Sequence, residues 1–160
     1  MAGVEIERKW LISGADALPA EVLAAPGAEI EQGYLTIGED GAETRIRRKS
    51  GKCTLTVKSG RGLVRSEAEV VITDEQFQTL WPATEGARIQ KARRTVRSDD
   101  GHTIEVDLYA GALDGLVVAE VEFDDPWGAE SFVAPYWFGR EVTSEDAYKN
   151  RSLAVSGVPA

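Results

Sequence analysis

Cysteine and histidine are almost missing from this chain: one of each in 160 residues. The single Cys53 cannot form an internal disulfide or a thiolate zinc site, and it fits a cytoplasmic protein. The lone His102 follows Asp99-Asp100-Gly101, a hairpin-turn signal, and reads as a solvated turn residue. Histidine-rich metal centres are excluded by count. Any metal would be held by oxygen ligands, which points to magnesium, manganese or calcium. Apolar runs of membrane-spanning length are absent, so no membrane partner is expected. The N-terminus lacks the basic-then-apolar pattern of a secretory signal. Positive charge is the minority, with 18 Lys and Arg against 27 Asp and Glu, a net charge of −9. Such a chain is a poor candidate for nucleic-acid binding, which runs on phosphate neutralisation.

What is present is a globular composition, 42% hydrophobic and 28% charged, and a length that suits one domain over residues 1–160. The minority cations are clustered. Arg45, Arg47, Arg48, Lys49, Lys52, Lys58, Arg61 and Arg65 crowd one stretch, and Lys91, Arg93, Arg94 and Arg97 another. An acidic chain with basic clusters suggests a local anion site.

Turn signals cut the chain into short alternating segments. Strands are expected at Val4 to Ile12, Glu29 to Ile37, Glu43 to Lys49, Lys52 to Ser59, Arg65 to Ile72, Arg88 to Arg97, Thr103 to Tyr109 and Leu116 to Phe123. A short Ala-rich helix is expected within Asp16 to Ala25, starting near Pro19. Thr73-x-x-Gln76 has the form of a capping box before a helix that buries Phe77, Leu80 and Trp81 and stops at Pro82. Thr143 is read as the cap of a last helix from Ser144 to Ser156. Short connections make the strands antiparallel.

In a strand, alternate side chains share a face. Glu5, Glu7 and Lys9 therefore lie together, opposite Val4, Ile6 and Arg8. The same device returns as Glu67/Glu69, Glu105/Asp107 and Glu120/Glu122, with basic partners at Arg45/Arg47, Lys58 and Lys91/Arg93. Facing water, these sides would be the charged skin of a sandwich. Facing inward, they would line a barrel lumen, where mixed signs offset part of the cost of burying charge. Pattern alone leaves both open. Glu29/Glu31 has no functional account and reads as solvated.

The ordered series Glu5-x-Glu7-x-Lys9, Arg45-x-Arg47, Lys58, Glu67-x-Glu69, Lys91-x-Arg93, Glu105-x-Asp107 and Glu120-x-Glu122 resembles the motifs of the CYTH superfamily, the triphosphate tunnel metalloenzymes. Leu80 to Gly86, Pro135 to Gly139 and Tyr148-Lys149-Asn150 further resemble its short bacterial tripolyphosphatases. The resemblance implies an α+β, mainly antiparallel fold: an eight-stranded closed barrel with a charged lumen and a few surrounding helices. It implies that Lys9, Arg45, Arg47, Lys58, Lys91 and Arg93 bind a triphosphate, with Lys149 at the tunnel mouth and Tyr34 as a lid. Glu5, Glu7, Glu120 and Glu122 would handle a divalent metal, Mg2+ or Mn2+, with Asp107 or Glu105 assisting. Glu67 and Glu69 would support the basic residues. Glu5, Glu7 and Lys9 would serve hydrolysis of a linear triphosphate, most simply inorganic tripolyphosphate.

Class IV adenylate cyclases and thiamine triphosphatases share the same grip, so the fold leaves the activity open. A non-catalytic polyphosphate- or nucleotide-binding module is the reading from another class. Apolar outer faces would be covered by helices and by a homodimer interface, with Trp10, Trp81, Trp127 and Trp137 as candidates.

Overall fold

The structure, a computed structural model, describes residues 6–59 and 66–160. Glu5, the first expected metal ligand, lies outside them, as do Arg61 and Arg65. Strands β1 (Ile6–Ile12), β2 (Gly27–Ile37), β3 (Glu43–Lys49), β4 (Lys52–Ser59), β5 (Ser66–Ile72), β6 (Arg88–Arg97), β7 (Thr103–Tyr109) and β8 (Val117–Phe123) form one sheet. Its order is β1-β8-β7-β6-β2-β3-β4-β5 and every pairing is antiparallel. The helices are short: α1 (Ala20–Ala24), α2 (Asp74–Leu80), α3 (Pro126–Ser131) and α4 (Asn150–Ser156). None is long and apolar enough to cross a membrane.

The architecture is the expected α+β one, but hydrogen bonds do not close it. Among the described residues no ladder joins β5 to β1. Instead the chain returns along the outer edge of β1. Leu11 N–H donates to Arg140 O, Gly139 N–H to Leu11 O and Val142 N–H to Lys9 O, each at 2.8 Å. Lys9 N–H adds a bond to Thr143 Oγ1 at 3.0 Å. These contacts satisfy backbone groups that an edge strand would leave open.

Register puts the charges on one face. Lys9 stands opposite Glu120, Glu105 opposite Glu120, Arg93 opposite Asp107 and Glu43 opposite Lys58. The other face carries Trp10, Ile12, Ile104, Val106, Val117, Ala119, Val121 and Phe123. Leu18, Val22, Ala129, Phe132 and Trp137 cover these side chains. At about 25 cal/mol per Å2 of apolar area, this cover stabilises the β1-β8-β7 half. Across the sheet, Cys53 and Ile46 pack under Phe77 of α2.

Three local expectations are revised. The first helix is a 3₁₀ turn at Ala15–Ala17 followed by five-residue α1, with extended Pro19 between them as the N-cap. The last helix is also broken: a 3₁₀ turn at Asp146–Tyr148 gives way at extended Lys149 to α4. Thr143 is not its cap, because its hydroxyl is spent on Lys9 N–H and Glu141. Of the four tryptophans offered for an interface, Trp10 and Trp137 are packed within the chain, and only Trp127 is largely exposed, at 75%. The Thr73/Gln76 capping box is present in both directions.

Candidate active site

The charged face holds a cavity of about 160 Å3. β1 supplies Glu7 and Lys9, β2 Tyr34, β3 Glu43 and Arg45, β4 Lys58 and β8 Glu120. The remaining wall comes from the chain end, where Thr143, Glu145 and Tyr148 lead to Lys149, Asn150 and Arg151. The inner face is therefore not charged throughout. Leu11, Ile89, Tyr109, Leu113, Leu116, Val118, Val142, Tyr148 and Leu153 form an apolar cluster beside the charged part.

Lys9 is held from two sides. Its ammonium donates to Tyr148 O at 2.6 Å and lies 3.5 Å from Glu120 Oε1. Arg45 Nε is buried and has no hydrogen-bond partner among the described residues. A buried donor in that state costs about 1–3 kcal/mol unless a ligand supplies an acceptor. Tyr34 is 3% exposed and belongs to the wall, not to a lid. Its hydroxyl accepts from Gln32 Nε2 at 3.1 Å, and Gln32 Oε1 accepts from Arg47 Nε at 3.0 Å. Burial raises the Tyr34 phenol against the opposing charge of Arg45, so it keeps its proton. Gly33 allows this wall to form: a Cβ there would lie 2.5 Å from Thr84 Cβ.

A second row of charge stands behind the cavity. Asp107 Oδ2 accepts from Lys91 Nζ at 2.7 Å and from Arg93 Nη2 at 2.9 Å, and its Oδ1 accepts from Arg93 Nε at 2.7 Å. Arg93 Nη1 also meets Glu105 Oε2 at 2.6 Å. Burial would raise the Asp107 carboxyl, but Lys91 and Arg93 outweigh it and hold it well below the usual range. Burial pushes the Lys91 ammonium down to about 8 against the pull of Asp107. Burial and the charges of Arg45 and Arg93 bring Arg47 down to about 10. The two oxygens of Asp107 are thus committed to cations, and neither Asp107 nor fully buried Lys91 lines the cavity.

The other expected residues spread out. Glu122 borders a separate cavity with Arg97 and His102. Glu67 pairs across the ladder with Lys58, and Glu69 accepts from Thr56 Oγ1 at 3.0 Å. His102 is better packed than a solvated turn residue, with its ring edge-on to Phe123 at 5.2 Å and Phe132 at 5.4 Å.

Glu43 and Arg151 were not singled out by the sequence. Glu43 shares the strand face of Arg45 and Arg47, a signal that could have found it. Arg151 had none, because its placement depends on how the chain end folds.

Glu7 and Glu120 are hard oxygen donors on paired strands, the chemistry that suits a magnesium-like cation. Among the described residues no group of three His, Cys, Asp or Glu side chains could hold a metal. The two carboxylates would supply only part of such a cation's ligands.

No family model matches the chain. It is 44% identical to an inorganic triphosphatase of Nitrosomonas europaea over 152 residues, 95% of this chain and 97% of that protein. It is 37% identical to an inorganic triphosphatase of Acetivibrio thermocellus over 153 residues, 94% and 93% of the two chains. A crystal structure of an inorganic triphosphatase superposes with a TM-score of 0.77 at 39% identity, covering 99% of this chain and 98% of the other. With this likeness along almost its whole length, and with the charged face its motifs require, the chain belongs to the inorganic triphosphatase family of CYTH proteins.

Proposed function

We propose that the chain hydrolyses inorganic tripolyphosphate to pyrophosphate and phosphate with a divalent metal, Mg2+ or Mn2+. The observation that carries this reading is the cavity itself. Lys9, Arg45, Lys58 and Lys149 surround a space that Glu7 and Glu120 also reach, and buried Arg45 Nε awaits an acceptor. A bare anion binder has no need of the carboxylates. The names of the relatives point to the same substrate.

In this reading Lys9, Arg45, Lys58 and Lys149 grip the phosphate chain by charge-assisted hydrogen bonds. Arg47, Lys91 and Arg93 add positive potential behind them, and Asp107 and Glu105 fix those cations in place. Glu67 and Glu69 support Lys58 and its strand. Glu7 and Glu120 would hold the metal, with Glu5 beside them; Glu122, at the separate cavity, would not. Bound there, the metal would neutralise phosphate charge and acidify water. Lys9 stabilises the charge that develops as water attacks a terminal phosphorus and the P–O bond to pyrophosphate breaks. Glu5 and Glu7 orient that water, and its proton passes to solvent.

A cyclase or a thiamine triphosphatase needs a ring-stacking surface at the site. Tyr34 and Tyr148 are 3% and 8% exposed, which disfavours that use. Phosphate release from tripolyphosphate, ATP and thiamine triphosphate, with Mg2+, Mn2+ and Ca2+ in turn, tests the proposal. Tripolyphosphate should lead, and Glu120→Gln should lower its turnover by about 100-fold or more. Turnover of the variant within a few-fold of wild type would refute the assignment.

A further inference from the structure

Resting on the triphosphate reading, we infer that Arg151 is a further phosphate-binding residue and that Glu43 is the positioning residue that aims it. The start of α4 is pinned by Asn150 and Leu153. Asn150 Oδ1 accepts from the buried Tyr109 hydroxyl at 2.6 Å, and Leu153, 1% exposed, is sunk in the apolar cluster with Ile89 and Val118. Residue 151 lies about 100° around the helix from residue 150. That turn brings Arg151 to the cavity wall, across from β3.

There it meets Glu43. Arg151 Nη1 lies 3.8 Å from Glu43 Oε2, close enough for attraction and too far for a hydrogen bond. No side-chain hydrogen bond of Arg151 is found among the described residues. Its side chain is 22% exposed, toward the same space as Lys149 and Lys58.

Glu43 is otherwise hard to explain. A carboxylate only 7% exposed, inside a wall that must attract an anion, works against that task. Its neighbours give it a reason: Lys58 lies directly across the ladder, and Arg151 approaches from the chain end. It stands between Lys58 in the register and Arg151 from the chain end, and its ion pair is with Arg151. A phosphate chain entering the cavity can offer Arg151 paired oxygens within hydrogen-bond reach, which Glu43 at 3.8 Å does not.

The test compares wild type with Arg151→Gln, Arg151→Lys, Glu43→Gln and the Glu43→Gln/Arg151→Gln double variant. Calorimetry with tripolyphosphate in chelator-treated buffer gives Kd, and steady-state rates with Mg2+ give KM and kcat separately. Arg151→Gln should weaken Kd and raise KM by about tenfold, with kcat changed much less. Arg151→Lys should recover most of the loss. Glu43→Gln should weaken binding in the wild-type background and add nothing once Arg151 is gone.

A purely structural latch would lower Tm and leave Kd within twofold, and that result would overturn the inference, as would additive effects in the double variant. Wild type that binds tripolyphosphate without hydrolysing it would defeat the proposed activity while the Kd series still decides on Arg151. Wild type that does not bind at all defeats both.

Discussion

Asp107 organises more of the site than any carboxylate in the cavity. It fixes Lys91 and Arg93 together, and both are cations that burial would otherwise penalise. Asp107→Asn should cost about 3 kcal/mol at neutral pH, because two buried cations lose their counter-charge. The folded carboxyl is depressed, so its contribution is present above the unfolded value of about 3.9 and is lost as pH falls through the folded value. Denaturant unfolding of both proteins should show the gap narrowing below about pH 4. A constant gap would mean that the carboxylate charge is not what stabilises. At Gly33 the argument is steric. Alanine would drive a Cβ into Thr84, and a loss of about 1–3 kcal/mol with a raised KM is expected, since Tyr34 adjoins it in the wall. An unchanged Tm would show that Thr84 can yield.

Among the elements, the chain end does the most for the site relative to its length. Residues 139–143 cover the edge of β1, and α4 brings Lys149 and Arg151 to the cavity while Leu153 anchors it. Leu153→Ala should lower the unfolding free energy from denaturant titration by about 2–5 kcal/mol, as for other buried leucines. It should also weaken tripolyphosphate binding although Leu153 is not a cavity residue. If stability falls and binding does not, α4 is only a cover. The strands were readable because alternation has a fixed period and one face must be buried. The chain end was not, because Thr143 has the chemistry of a cap and nothing local tells whether its hydroxyl will meet a helix or the N–H of Lys9.

For the molecule as a whole, a net charge of −9 and an anion site coexist because the cations converge on one face. Carboxylates of that face already have protein partners: Glu120 has Lys9, Glu43 has Arg151, and Asp107 has Lys91 and Arg93. The fold should therefore not depend on the metal. Chelation is expected to abolish turnover while Tm moves by less than about 2 °C, since little folding free energy resides in the ion. A large fall in Tm on chelation would show that the metal holds the wall together.

By itself the sequence determined the strands, their polar and apolar sides, and the set of charged pairs, because a two-residue period needs no knowledge of distant segments. It also carried the family resemblance. Only the tertiary structure decided that Asp107 serves Lys91 and Arg93, that Tyr34 is wall, and that Glu122 stands apart from Glu120's cavity. It alone brought Arg151 to Glu43, more than a hundred positions away in the chain. Pairing register and the path of the return segment set those distances, and neither is written in any local run of residues.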